Sequence, residues 1–524
     1  MKKLPIGIQS IRKVLTEGHT YVDKTQSALD LIENGKHYFL SRPRRFGKSL
    51  FLSTLEEIFK GNKELFQGCH IYGSNYDWQP YPVLQLNFSI TDNRTKEALE
   101  ASVQNRLGEI AKKHSLQISI PSTQAGLRNL IEALSKKGPV VVLIDEHDKP
   151  LTANLDQLEV LEDIRRFLQS FYSTLKSLDQ YIKFTFVTGT TNFPYVSLFS
   201  GGNHLQDISG HARYACIMGY TYEEITDAFA AHIKAVVQAQ SRTESAVLAE
   251  IKAWYGGYRF SSTDTEVCNP CSVLKYLDRK ESQIYWQATT LSSHVHHEIV
   301  QNPASIVPLR GAKATDNNFM NPDTLVKRDL KLLMFYAGYL TIKGYDARFR
   351  YYDLGFPNRE VRKVFTSSLI RDLANLDSSL AYEMEGLLIA QDWGTFIAKI
   401  NAILSVFPHH MFSEADESTY HSFLLSMFSE MGISVAAETP ANLGRLDFLV
   451  QMSSTTYIMR LSLDKVPNQG IEQLKEKQYH LPYLHQSKKL ALVCINFSSA
   501  SHHIASWSGE LLDERGDLIQ ILNP

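Results

Sequence analysis

The decapeptide SRPRRFGKSL (Ser41–Leu50) decides how this chain is read. It ends in the Gly-Lys-Ser of a phosphate-binding loop, followed by a leucine. Such a loop aims consecutive backbone N–H groups inward at a helix N-terminus. Its lysine reaches the β- and γ-phosphates, and its Ser or Thr hydroxyl meets Mg2+. Gly47, Lys48 and Ser49 fill those positions. The strict pattern begins with glycine at position 42, where this chain has Arg42. Backbone contact with phosphate does not need that first glycine if the turn takes another route, and Pro43 can fix one. Arg44 and Arg45 add charged donors for a polyphosphate. The expected nucleotide-binding run is therefore Arg44, Arg45, Phe46, Gly47, Lys48, Ser49 and Leu50. Gly-Lys-Ser alone is common, and an ordinary capped helix start reads the same way, so the surroundings must decide.

They have the required order of strand, loop and helix. KHYFLS before the loop reads as a short buried strand. After Lys48, the residues Phe51, Leu52, Leu55, Ile58 and Phe59 fall at helical spacing. Upstream, Tyr21–Gly35 reads as a helix started by Asp23 or Thr25 and ended by Gly35. Downstream, strands are expected at Tyr81–Ile90, Pro139–Asp148 and Tyr181–Asn192, with helices at 98–115, 124–136 and 158–178 between them. Strands alternating with helices predict a mostly parallel sheet covered on both faces.

PVVVLIDEHD (Pro139–Asp148) is the second chemical motif. An apolar strand ends in Asp145 and Glu146. A carboxylate there can hold Mg2+, and the next can polarise an attacking water. The other reading is a strand that simply ends in a polar turn. A third candidate is Thr188-Gly189-Thr190-Thr191-Asn192, at the tip of the next strand. Polar groups such as Thr191 could sense the γ-phosphate there; a plain turn reads equally well.

Composition excludes several classes. Hydrophobic residues make up 44% and charged residues 21%, ordinary for a globular protein. A formal net charge of −2 carries no global basic field for nucleic acid, so any such contact needs a local patch. The chain shows neither a signal-peptide apolar run nor a membrane-length one. The 5 Cys make no disulfide framework and fit reduced thiols in a cytoplasm. A length of 524 residues predicts about two to four domains.

Several of these segments together resemble a predicted AAA-ATPase-like family found widely in bacteria. They are YVDKT (Tyr21–Thr25), RPRRFGKS (Arg42–Ser49), LIDEHD (Leu143–Asp148), VTGTTNFPYVSLFSGGN (Val187–Asn203), WYGGYRF (Trp254–Phe260) and NPCSVLKYL (Asn269–Leu277). The resemblance covers roughly residues 5 to 300 and makes Arg42 the family's own version of the loop. It implies ATP and Mg2+ as ligands, with Lys48 and Glu146 catalytic and Ser49 and Asp145 holding the metal. The family has Ser-Arg where this chain has Thr191-Asn192, which bears on hydrolysis rate more than on binding. His147 replaces a usual Tyr. Arg259 in WYGGYRF is either a lid sensor or part of a packing motif.

The end of the chain is similar to the PD-(D/E)XK nuclease superfamily, which cuts phosphodiesters with a metal held by an Asp and a Glu, assisted by a Lys. GRLDFLV (Gly444–Val450), YIMRLSLD (Tyr457–Asp464) and QLKEKQY (Gln473–Tyr479) carry the likeness. Asp447 is kept, with Gly444, Arg445, Gln473, Lys475 and Tyr479. Arg460 stands at the Glu position and Ser462 at the Lys position. A cation there cannot ligate Mg2+ beside Asp447, so metal-dependent cutting is expected to be lost. Asp464 is expected two residues further along the same strand face.

The isolated CxxC at Cys268–Cys271 and the HVHHE run (His294–Glu298) are read as a helix start and a solvated face. The resulting expectation is an α/β protein. A P-loop NTPase parallel sheet (1–220) comes first, then a helical lid and linker (221–400), then a small PD-(D/E)XK-like domain (410–524). It is expected in the cytoplasm, with DNA or a protein as partner of the last domain and oligomerisation left open. Three activities compete: slow ATP hydrolysis, a nucleotide-gated switch without turnover, and a nuclease rebuilt from Asp447, Glu438 and Asp464.

Overall fold

The structure is a computed structural model. It describes residues 1–191, 205–286, 295, 298–299, 312–315, 329–362, 364–365, 380–406, 417, 420–421, 424, 428, 434–441, 444–452, 455–478, 480–484 and 489–523. Side chains at 381, 406, 434, 436–441, 445–447 and 468 are excepted. The chain divides into two compact units, one of residues 1–295 and 311–361, the other of residues 296–310 and 362–524.

The first unit is built on five strands, β1 (His37–Ser41), β2 (Val83–Asn87), β3 (Val140–Asp145), β4 (Ile182–Gly189) and β5 (Gln206–Asp207). They lie in the order β2-β3-β4-β1-β5, every neighbouring pair parallel. β3 is buried at all six positions, as a central parallel strand covered on both faces must be. On one face Val140, Val142 and Ile144 join a core with the helices Lys96–Lys113, Thr123–Ser135 and Leu158–Ser177. On the other, Phe184 and Phe186 pack against Phe59 and Phe51 of the Lys48–Phe59 helix. Order β3-β4-β1 brings the carboxyl ends of those three strands side by side, and the expected motifs sit at those ends.

Next come the helices Tyr222–Ala228, Ala230–Gln240, Glu244–Tyr255 and Pro270–Arg279, packed on one another around Phe229, Ile233, Ile251, Tyr255 and Tyr276. Capping defines them. Thr221 and Glu224 form a reciprocal capping box, and Asn269 accepts from the N–H groups of Cys271 and Ser272 ahead of Pro270. The CxxC spacing is thus a helix start.

The region expected to be helical to residue 400 contains a three-stranded antiparallel sheet. Its strands are β6 (Ala312–Thr315), β7 (Thr341–Asp346) and β8 (Tyr351–Gly355), in the order β6-β8-β7. They are short, and β8 alternates only weakly in burial, so periodicity could not expose them.

The second unit centres on a six-stranded mixed sheet in the order β14-β13-β12-β11-β10-β9. The strands are β9 (Ser434–Ala441), β10 (Gly444–Gln451), β11 (Thr455–Leu463), β12 (Lys489–Phe497), β13 (Ile504–Leu512) and β14 (Leu518–Leu522). Only β11 and β12 pair in parallel. The helices Leu380–Ala390 and Trp393–Val406, expected in the linker, supply Met384, Leu388, Trp393, Phe396 and Ile400 to this sheet's core. Burying such side chains contributes roughly 1.5–3 kcal/mol each, enough to bind these helices to the sheet. The opposite face is covered by the Pro467–Glu476 helix through Leu474.

Candidate nucleotide-binding site

β1 ends at Ser41, and the chain turns through residues 42–47 into the Lys48–Phe59 helix. Two positions in the turn have left-handed backbones, Arg45 (φ 71°) and Gly47 (φ 96°). A Cβ at Gly47 would meet nothing within 4 Å, so glycine is required there by its dihedral rather than by space. Gly47 also provides no side-chain cap, which leaves the helix's first N–H groups to an anion.

Arg42 explains how the loop dispenses with its first glycine. Its N–H donates to the Gly189 carbonyl (3.1 Å), and its guanidinium to the carbonyls of Ser41 (2.8 Å), Ser209 (2.8 Å) and Tyr214 (3.2 Å). The same group lies 4.2 Å over the Phe260 ring. Arg42 is 1% exposed, and burial pushes its pKa down to about 9. It is a staple beneath the loop. Phe46 is held from the same side, edge-on to Tyr258 and Phe260. WYGGYRF therefore clamps the loop. Arg259 itself donates to the Lys343 carbonyl and pairs with Asp264 (2.9 Å), the packing role of the two expected.

The charged groups converge at the strand ends. The Ser49 hydroxyl donates to Asp145 Oδ2 at 2.6 Å. Asp145 Oδ1 accepts from the Thr188 hydroxyl (2.7 Å) and the Glu146 N–H (3.0 Å). Lys48 Nζ donates to the carbonyls of Arg42 (2.9 Å) and Pro43 (3.1 Å). Burial lowers its pKa, opposed by the charges of Glu146, Asp145 and Asp148. Glu146 has a left-handed backbone (φ 48°) and lies 3.9 Å from Arg44. Non-glycine residues held this way cost about 1–3 kcal/mol and cluster at functional sites.

Thr191 is placed differently from expectation. Its N–H (2.8 Å) and hydroxyl (2.9 Å) both donate to Asp148, as does the Thr190 N–H. Thr191 is fully buried and does not line the cavity. The reason is Asp148: a carboxylate 2% exposed must be met by donors, and this segment supplies them. Asn192 lies outside the described residues. His147, also buried, packs edge-on to Phe39 and Tyr172, and burial holds its pKa below the usual range.

A cavity of about 490 Å³ opens over the loop, within the size range of small-ligand sites. It is lined by the loop residues Arg44–Leu50, by the charged Glu146 and Lys149, and by the apolar Ile6, Ile8, Ile217, Met218 and Leu274. The N-terminal segment Pro5–Gln9 was not legible as lining, because no motif or period marks it. YVDKT lines the cavity through Tyr21, Val22 and Lys24 and braces it. Asp23 accepts from the N–H groups of Thr25 and His70, and Lys24 pairs with Glu224 at 2.5 Å.

Residues 5–199 match the family described as "Predicted AAA-ATPase", and residues 415–507 match the "PD-(D/E)XK nuclease superfamily". A protein of Azotobacter chroococcum mcd 1, named "Uncharacterized protein in vnfD 5'region", is 32% identical over 529 residues, covering 98% of this chain and 99% of that protein. The chain belongs to the predicted AAA-ATPase family. Its AAA-ATPase-like domain is followed by a PD-(D/E)XK nuclease-superfamily domain, and among the described residues no helix is long and apolar enough to cross a membrane.

In that second domain Arg460 lies on β11 beside Cys494 of β12, and Ser462 beside Asn496, whose Oδ1 accepts the Ser462 hydroxyl (3.0 Å). Asp464 does not continue the strand face as expected. β11 ends at Leu463, and Asp464 turns into the left-handed region (φ 55°) to accept from the Ser499 N–H. The side chains of Glu438, Arg445 and Asp447, like Tyr479 and most of HVHHE, lie outside the described residues.

Proposed function

We propose that the AAA-ATPase-like domain binds Mg-ATP and hydrolyses it slowly. The observation that carries this reading is the Ser49–Asp145 hydrogen bond, which joins a loop hydroxyl to a strand-end carboxylate across the sheet. These are hard oxygen donors of the kind Mg2+ takes, and with Ser49 and Asp145 they fit it. When bound, Mg2+ would neutralise charge on the phosphates. Lys48 would exchange its two carbonyl acceptors for phosphate oxygens, with Arg44, Arg45 and Lys149 nearby to balance further charge. Glu146 would orient and accept a proton from water. The apolar walls around Ile6, Ile217 and Leu274 would take the nucleoside end, residues 1–220 holding the nucleotide and the following helices acting as its lid.

The orientation of Thr191 favours a second reading, a nucleotide-gated switch with negligible turnover, because that segment's donors are spent on Asp148. Phosphate release by wild type beside Glu146→Gln separates the two. Turnover in wild type that drops with the variant supports hydrolysis; equal rates remove Glu146 from it.

For the second domain we propose binding, to DNA or a protein, without metal-dependent cutting. Arg460 and Ser462 replace the acidic ligand and the lysine, so the donor set beside Asp447 lacks its second carboxylate. A cytoplasmic setting fits both domains.

A further inference from the structure

β14 is the outer strand of the second unit's sheet. It pairs with β13, and among the described residues no strand lies on its other side. An edge strand presents a row of free backbone N–H and C=O groups, and proteins normally blunt such edges with charge or proline. The opposite edge, β9, carries Pro440, which has no N–H. β14 carries neither device. Leu518, Ile519 and Ile521 are 52%, 51% and 58% exposed.

What covers this edge is written in its sequence. Leu518-Ile519-Gln520-Ile521-Leu522 is a palindrome about Gln520. Two antiparallel copies related by a two-fold axis through Gln520 set Leu518 against Leu522, Ile519 against Ile521, and Gln520 against itself. Matched apolar cross-strand pairs stabilise a sheet, and facing glutamine amides can bond to one another. The flanks agree, since Asp517 falls opposite Asn523 and no like charges meet. A one-residue slip would instead set Asp517 against Leu522, or Gln520 against an isoleucine, so the chemistry selects one register.

We propose that β14 is a self-association edge, through which two copies of this chain pair about Gln520 and join their six-stranded sheets into one. The interface is isologous, as a two-fold dimer requires. It stands independently of the nucleotide reading.

Sedimentation equilibrium on the full chain over a micromolar range tests this. The expected result is a mass rising toward twice its low-concentration value. Ile519→Lys with Ile521→Lys places lysine opposite lysine and should weaken association by about tenfold or more. Register is tested separately. Residues directly opposite have Cα atoms within disulfide reach, so Gln520→Cys should give a cross-linked dimer on mild oxidation. Ile519→Cys should not exceed wild type, whose five cysteines set the background. An unchanged mass at all concentrations, association insensitive to the lysine pair, or Ile519→Cys linking as fast as Gln520→Cys would overturn the proposal. Retention of the edge by a different protein's strand, with the chain itself monomeric, would do so too.

Discussion

The Arg42 guanidinium lies 4.2 Å over the Phe260 ring and holds three carbonyls, two of them on the far segment Ser209–Tyr214. The residue that breaks the glycine pattern of the loop is what fixes the loop to WYGGYRF. Restoring the pattern should therefore do harm. Arg42→Gly is expected to destabilise the first unit by about 3 kcal/mol, because buried carbonyls lose charged donors and a cavity is left. Urea unfolding checks it, and a variant as stable as wild type would contradict the staple.

Thr191 gives the opposite kind of expectation. Its hydroxyl serves Asp148 rather than a ligand. Thr191→Ala should cost about 1–2 kcal/mol of stability while leaving ATP affinity within about twofold. Parallel unfolding and nucleotide titrations would show it; a selective loss of affinity would return Thr191 to the nucleotide.

Glu360 is a buried carboxylate that accepts from the N–H groups of Tyr285 (2.6 Å) and Trp286 (2.7 Å) and from the Ser272 hydroxyl (2.9 Å). Burial is the largest influence on it and raises its pKa from 4.5 to about 7, against the lowering by those bonds and Lys275. The folded state then holds a proton that the unfolded state has released. Its contribution falls as pH rises from about 4.5 to about 7 and is level above. Glu360→Gln should flatten that part of the stability profile, a difference of up to about 3 kcal/mol between pH 4.5 and 8. Identical profiles would remove Glu360 as the titrating group.

In the second domain, the replacement of the acidic ligand by Arg460 predicts no Mg2+- or Mn2+-dependent cutting of DNA. Incubation with plasmid checks it. Nicking that disappears in Asp447→Ala would show a working metal site.

Much of the first unit was legible because its signals are local. β1, β3 and β4 are apolar runs bounded by charge or small polar residues, and the helices after Lys48 and Leu158 keep strict spacing. Arg42 was not legible, because nothing local tells a buried arginine bound to distant carbonyls from a phosphate ligand. Thr191 and Asp464 were misplaced for a related reason. Each is a polar residue at a strand end, and its direction is set by a partner, Asp148 or Ser499, that only the fold brings near. The helices Leu380–Ala390 and Trp393–Val406 read as helical, but the sheet they would cover could not be read from them.

The central claim is that the loop ending at Lys48 and the carboxylate of Asp145 together hold a magnesium nucleoside triphosphate. Titration calorimetry of the full chain with ATP and Mg2+ tests it most directly. The expected result is one saturable site of about micromolar affinity, weakened roughly a hundredfold by Lys48→Ala, a loss of about 2.7 kcal/mol. Absence of binding heat from ATP or GTP by folded wild-type protein across several temperatures, or full affinity in Lys48→Ala, would contradict it.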